Sequence, residues 1–178
     1  MLRTILLGFL AVVVVAVAFI ASRPSTFTIE RSAEIAAPPE AVFALLNDFH
    51  QWSQWSPWEK LDPKLQRSFD GPASGPGASY AWVGNDQVGE GRMKIVESKP
   101  GESVVVDLEF EKPFAAKNQT TFTLAPAGNG TTVRWAMKGE NGFVGKALSL
   151  VMDMDARVGR DFEAGLANLN AAAARANP

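Results

Sequence analysis

The sequence predicts an α+β fold: a curved antiparallel sheet wrapped around one long C-terminal helix, preceded by one N-terminal transmembrane helix. Three observations carry this expectation. From Val144 to Ala173, nine residues recur at steps of three or four and form a stripe that is apolar but for Asp155. Between residues 26 and 138, six runs alternate apolar and polar residues, as half-buried strands do. Residues 5–21 carry no charge and reach the lower limit for crossing a bilayer core.

The apolar N-terminal run is flanked by Arg3 and Arg23. Ala16-Val17-Ala18 resembles a signal cleavage site, but the apolar run continues through Phe19 and Ile20 with no polar approach. An uncleaved anchor is therefore expected, with secretion after cleavage as the alternative. The short tail before the run favours a domain on the extracytoplasmic side, although the flanking charges are nearly balanced. The chain divides into residues 1–25, anchor and short tether, and residues 26–178, a single domain.

Residues 26–36 read as the first strand, with Phe27, Ile29, Ala33 and Ile35 on one face and Arg31 as the exception on that face. Pro38-Pro39 ends it and opens a short helix containing Val42, Phe43, Leu45 and Leu46. Trp52, Trp55 and Trp58 follow within seven positions and read as a short helical plug or an aromatic wall. His50 beside them reads as a cap or surface residue. Residues 62–77 read as loop, punctuated by Gly71-Pro72 and Gly75-Pro76-Gly77.

Five strands are then expected at residues 78–83, 88–96, 103–111, 116–124 and 131–138, the last two joined by the turn at Gly128-Asn129-Gly130. The final helix is expected from Phe143 to about Ala174, with Asp153 and Arg157 spaced to pair. Gly159 and Gly165 inside it read as close approach to the sheet or a slight bend, with room for a ligand as the alternative. One-faced strands need a cover, and this helix has the matching stripe. A cylinder does not fill a concave sheet, so a cavity between them is expected.

Composition narrows the function. With 178 residues the chain suits one domain. A net charge of −2 without a basic patch argues against nucleic acid as a partner. Zero cysteines and one histidine exclude thiolate metal sites, disulfides and a His-rich metal site within one chain. No phosphate loop, dinucleotide fingerprint or metal-ligand cluster is present, so no cofactor is expected. Oligomeric state is not legible.

Five segments together resemble a known family: Ile35-Ala36-Ala37-Pro38-Pro39-Glu40-Ala41-Val42-Phe43, Trp52-Ser53-Gln54-Trp55-Ser56-Pro57-Trp58, Gly89-Glu90-Gly91, Gly130-Thr131-Thr132-Val133-Arg134-Trp135, and Phe162-Glu163-Ala164-Gly165-Leu166-Ala167-Asn168-Leu169. They resemble the START/Bet v 1-like (SRPBCC) superfamily with the helix-grip fold, in its polyketide cyclase/dehydrase-like branch, over about residues 26 to 175. The resemblance implies a cavity between sheet and C-terminal helix that binds lipids, polyketides or other hydrophobic small molecules.

The expected cavity lining is Trp52, Trp55, Trp82, Phe110, Phe122, Trp135, Met152 and Phe162, with Tyr80, Asn118 and Asp155 as polar contacts. The leading expectation is a membrane-tethered module for a hydrophobic small molecule or lipid. One alternative is a protein-interaction module with a closed core. Another is a cyclase or dehydratase-type enzyme using Arg31, Tyr80, Asn118 or Asp155 as acid, base or orienter.

Overall fold

The computed structural model describes residues 2–176. Residue 1, at the start of the expected anchor, and residues 177 and 178, at the end of the expected domain, lie outside the described residues. The chain opens with helix α1 (Leu2–Ala21), twenty residues of which none is buried in the protein. Strand β1 (Thr26–Ile35) and helix α2 (Pro39–Leu46) follow, then two 3₁₀ turns at Phe49–Gln54 and Pro57–Lys60. Six more strands come next: β2 (Gln66–Asp70), β3 (Ser79–Val83), β4 (Glu90–Lys99), β5 (Ser103–Lys112), β6 (Ala116–Ala127) and β7 (Gly130–Glu140). Helices α3 (Phe143–Leu148) and α4 (Met154–Ala176) close the chain.

Among the described residues the strands form one antiparallel sheet in the order β1-β7-β6-β5-β4-β3-β2. Alternation sorts the side chains as the sequence predicts. Val104 and Val106 of β5, Phe122 and Leu124 of β6, and Val133 and Trp135 of β7 are buried on the concave face. Helix α2, with Pro39 in its first turn, buries Val42, Leu45 and Leu46 against them. The α4 stripe buries Phe162, Leu166, Leu169, Ala172 and Ala173.

Both helix glycines allow close approach. A β-carbon on Gly165 would lie 2.7 Å from Cζ3 of Trp135, and one on Gly159 would lie 1.9 Å from Nη2 of Arg31. The Trp plug is a pair of 3₁₀ turns. Their buried indoles are satisfied locally, Trp52 Nε1 donating to the Leu46 carbonyl and Trp55 Nε1 to that of Leu45, each at 3.1 Å. His50 is half-exposed, stacks on Phe69 at 4.1 Å, and sets Nδ1 2.8 Å from Asp48 Oδ1.

Three expectations are corrected. The single helix from Phe143 is two, because residues 149–153 leave the helical path. Asp153 begins the second: its Oδ1 accepts the Ala156 N–H at 2.9 Å. That carboxylate therefore caps α4, and no Asp153–Arg157 ion pair forms among the described residues. The apolar period runs on through Val144, Leu148 and Val151, but these residues are 59%, 38% and 80% exposed. Finally, β2 lies within the expected loop. It is an edge strand of exposed residues pairing only with β3.

The domain has a solid end and a hollow end. Around Ile35, Ile95, Val104, Phe122 and Val133 the core is fully packed by α2, the 3₁₀ turns and α4. Toward the start of β1 and the end of β7, α4 no longer covers the sheet. Substitution Phe122→Ala should cost about 3–5 kcal/mol, because this ring is wholly enclosed. Urea unfolding measures the loss; a cost under about 1 kcal/mol would mean the core is loose there.

Candidate functional site

The hollow end holds an open cavity of about 1300 Å³. Its floor is aromatic: Trp135 of β7 stacks on Phe162 of α4 at 4.1 Å with planes 7° apart, and Trp58 stands edge-on to both. Trp52 completes the floor. The side wall is Tyr80 and Trp82 of β3, with Phe110 of β5 edge-on to Trp82 at 5.8 Å. Gly91 makes room for that wall, since a β-carbon there would lie 2.6 Å from Trp82 Cη2 and 2.5 Å from the Glu109 carbonyl oxygen. Asn118 of β6 and Phe27 and Ile29 of β1 form the opposite side. The mouth is bounded by α3, residues 149–153 and Phe114 of the β5–β6 turn.

Nine of the eleven expected lining residues surround this space: Trp52, Tyr80, Trp82, Phe110, Asn118, Trp135, Met152, Asp155 and Phe162. Trp55 and Phe122 do not reach it. Both are fully buried behind the floor, edge-on to one another at 5.9 Å.

Two hydrogen-bonded polar clusters adjoin the cavity, and Glu140 and Asp161 also line it. On β3, the Tyr80 hydroxyl donates to Glu59 Oε1 at 2.6 Å, and Arg67 Nε of β2 donates to Glu59 Oε2 at 2.6 Å. The Glu59 side chain is 7% exposed, so both of its oxygens are satisfied inside the wall. Burial, followed by the Glu59 hydrogen bond and charge, pushes the Tyr80 phenol far above its ordinary range. Tyr80 is thus a hydrogen-bond donor that keeps its proton, not a base.

The second cluster lies at the other edge of the sheet, where Arg31 of β1 crosses α4 at Gly159. Its Nη2 reaches Asp155 Oδ2 at 3.0 Å and its Nε reaches Glu163 Oε1 at 2.9 Å, one helical turn to either side of the glycine. Hydrogen bonds to Asp155 and then Glu163 hold the guanidinium pKa above its usual value. The Arg31 side chain also donates to the Glu30 carbonyl at 2.7 Å.

The four candidate catalytic groups are therefore not brought together. Arg31 and Asp155 are bound to each other, and four strands separate β1 from β3. Asn118 is on β6, with Oδ1 packed close to Gly139. Sequence reasoning missed Glu59 and Arg67. A buried-acid signal existed only in the context of Trp58-Glu59, since an acid next to a plug tryptophan needs a partner. Trp135 adds one more feature: its buried Nε1 has no hydrogen-bond partner among the described residues.

Comparisons with known proteins agree with this architecture. A family model described as polyketide cyclase / dehydrase and lipid transport matches residues 26–174. No curated protein matches the chain. Among solved structures, one from Thermobifida fusca is similar at 22% identity and a TM-score of 0.62, covering 84% of this chain and 95% of that one. Protein MLL2253 from Mesorhizobium loti is similar at 17% identity and a TM-score of 0.61, covering 85% and 100%. Ara h 8.0201, a Bet v 1-like protein, is similar at 16% identity and a TM-score of 0.54, covering 83% and 94%. At these identities the likeness concerns the fold.

Tyr80 is the only tyrosine in the chain, so phenolate absorbance reports it alone. The phenol should titrate well above an unperturbed tyrosine's range of about 10. Glu59→Gln should bring that titration down while leaving it raised by burial. The unfolded chain releases this proton near pH 10 and the native chain keeps it, so stability should fall as pH rises past about 10. A Tyr80 titration unmoved by Glu59→Gln would exclude the Glu59 carboxylate as a cause.

Proposed function

The chain belongs to the polyketide cyclase / dehydrase and lipid transport family, and from that premise we propose that it is a membrane-tethered module binding a hydrophobic small molecule or lipid. The observation that carries this reading is the cavity. At about 1300 Å³ it exceeds the roughly 300–1,000 Å³ usual for small-ligand pockets, and apolar side chains dominate its lining. Its polar wall supports a ligand that is mostly hydrocarbon with one polar group. The Tyr80 oxygen has lone pairs to offer a hydroxyl. Helix α1 is long and apolar enough to cross a membrane, which supports the tether. The domain then lies on the extracytoplasmic side, and it would be released there if α1 were removed as a signal. Cyclase or dehydratase chemistry has less support, because Arg31 and Asp155 neutralise each other away from Tyr80.

Native mass spectrometry of the full chain, released gently from membranes of its own host, tests the reading. The expected result is an apolar adduct that denaturation removes. Filling the cavity gives an independent check. Leu108 is a half-buried wall residue of β5, and Leu108→Trp should abolish uptake of a fluorescent apolar probe while leaving the unfolding midpoint nearly unchanged. Absence of both an adduct and probe uptake in the wild-type chain would refute ligand binding.

A further inference from the structure

The mouth of the cavity and the end of the membrane helix lie at one end of the domain. Strand register establishes this. Thr26 opposes Glu140, Gly139 opposes Asn118, Ala116 opposes Phe110, and Glu90 opposes both Lys112 and Val83, so these residues mark a single edge of the sheet. The tether, the β5–β6 turn and the entry to α3 all leave from that edge, and the cavity opens there.

The rim is apolar and open. Phe114 is 66% exposed, Phe143 49%, Val144 59%, Leu150 41% and Val151 80%. Residues 147–152 contain no charge. A contiguous exposed apolar patch on a domain is an interaction surface, since each such side chain gains by leaving water.

The position of α1 says what covers it. The Lys146 side chain of α3 donates to the carbonyl of Ala21, the last residue of α1, at 3.1 Å. The Asn141 N–H donates to the Ser25 carbonyl at 2.6 Å, which ties the tether to the end of β7. Four tether residues, 22–25, span at most about 14 Å even when extended. Twenty helical residues at about 1.5 Å each match a hydrocarbon core of about 30 Å, so the last turn of α1 falls at the boundary with the headgroups. Helix α3 is level with that turn. Lys146 carries its charge on a long stem suited to that boundary.

We propose that α3, residues 149–153 and Phe114 form a bilayer-docking surface, through which the cavity opens into the headgroup layer of the membrane that α1 spans. The proposal deepens the function above and rests on its reading of α1 as a span. Apolar ligand then passes between membrane and cavity without crossing bulk water. Such a surface binds as interfacial helices do, with the apolar side a few ångströms into the headgroup region.

The chain contains no cysteine, so single cysteines can be labelled without background. Full-length variants Val151→Cys, Phe114→Cys, Val13→Cys and Asn129→Cys carry an environment-sensitive fluorophore. They are reconstituted into phosphatidylcholine–phosphatidylglycerol vesicles containing lipids brominated either near the headgroup or at mid-chain. Asn129 lies in the β6–β7 turn at the opposite end of the sheet. The expected result is that Val13 labels lose most emission to the mid-chain quencher, Val151 and Phe114 labels lose most emission to the shallow quencher, and Asn129 labels lose none. Quenching at Val13 with Val151 and Phe114 as bright as Asn129 overturns docking and leaves the tether intact. No quenching at Val13 overturns the tether, and docking with it. A Val151 label that shifts to the blue without lipid quenching means a protein covers the rim, which also overturns the proposal.

Discussion

The stacked contact between Trp135 and Phe162 divides the domain. Below it, Trp55 and Phe122 pack against Trp135 at 5.6 Å and 4.9 Å, and the core is solid. Above it is open volume. The contact exists because Gly165 lets α4 approach the β7 tryptophan more closely than any other residue would allow. An aromatic pair of this kind contributes about 0.5–1.5 kcal/mol beyond the area it buries. Its larger effect is geometric, since it fixes the height at which the helix stops filling the sheet.

Much of this was legible in the sequence, for definite reasons. Strand faces follow from a period of two, and the concave residues of β5, β6 and β7 are those that alternation selects. The buried α4 stripe follows from a period near 3.6. The helix break was not legible. Val144, Leu148 and Val151 keep helical spacing across it, and periodicity records which residues are apolar without recording what they face. Only the Asp153 cap distinguishes the new helix, and an aspartate with an arginine four residues on reads equally well as a surface pair. Strand β2 was hidden because its sequence, Gln66-Arg67-Ser68-Phe69-Asp70, is polar and exposed between turn signals. In the site, bulky aromatics were legible as lining. Which of them face the void and which lie behind it depends on side-chain depth, and Trp55 and Phe122 fell on the solid side. Glu59 and Arg67 are eight residues apart, with a loop between them, so no spacing rule joins them to Tyr80.

Two groups of charges near the cavity are spent on the protein itself. Glu59 accepts from Tyr80 and Arg67, and Arg31 spans two carboxylates across a glycine. A buried carboxylate is costly without partners, and Glu59, whose side chain is 7% exposed, has two donors. The rest of the lining is mostly hydrocarbon surface, with the Tyr80 phenol oxygen in its wall. That inventory suits a ligand chosen by volume and apolarity more than by charge.

The open end has a mechanical consequence. Each long strand runs from a tightly packed end to a hollow one that water can enter. Local opening costs least where few apolar contacts are lost, so the rim half of the sheet should exchange its amide hydrogens first, with the floor as the boundary of the retreat. Anything bound in the hollow end stabilises the closed sheet by mass action, and protection then spreads from the floor towards the rim.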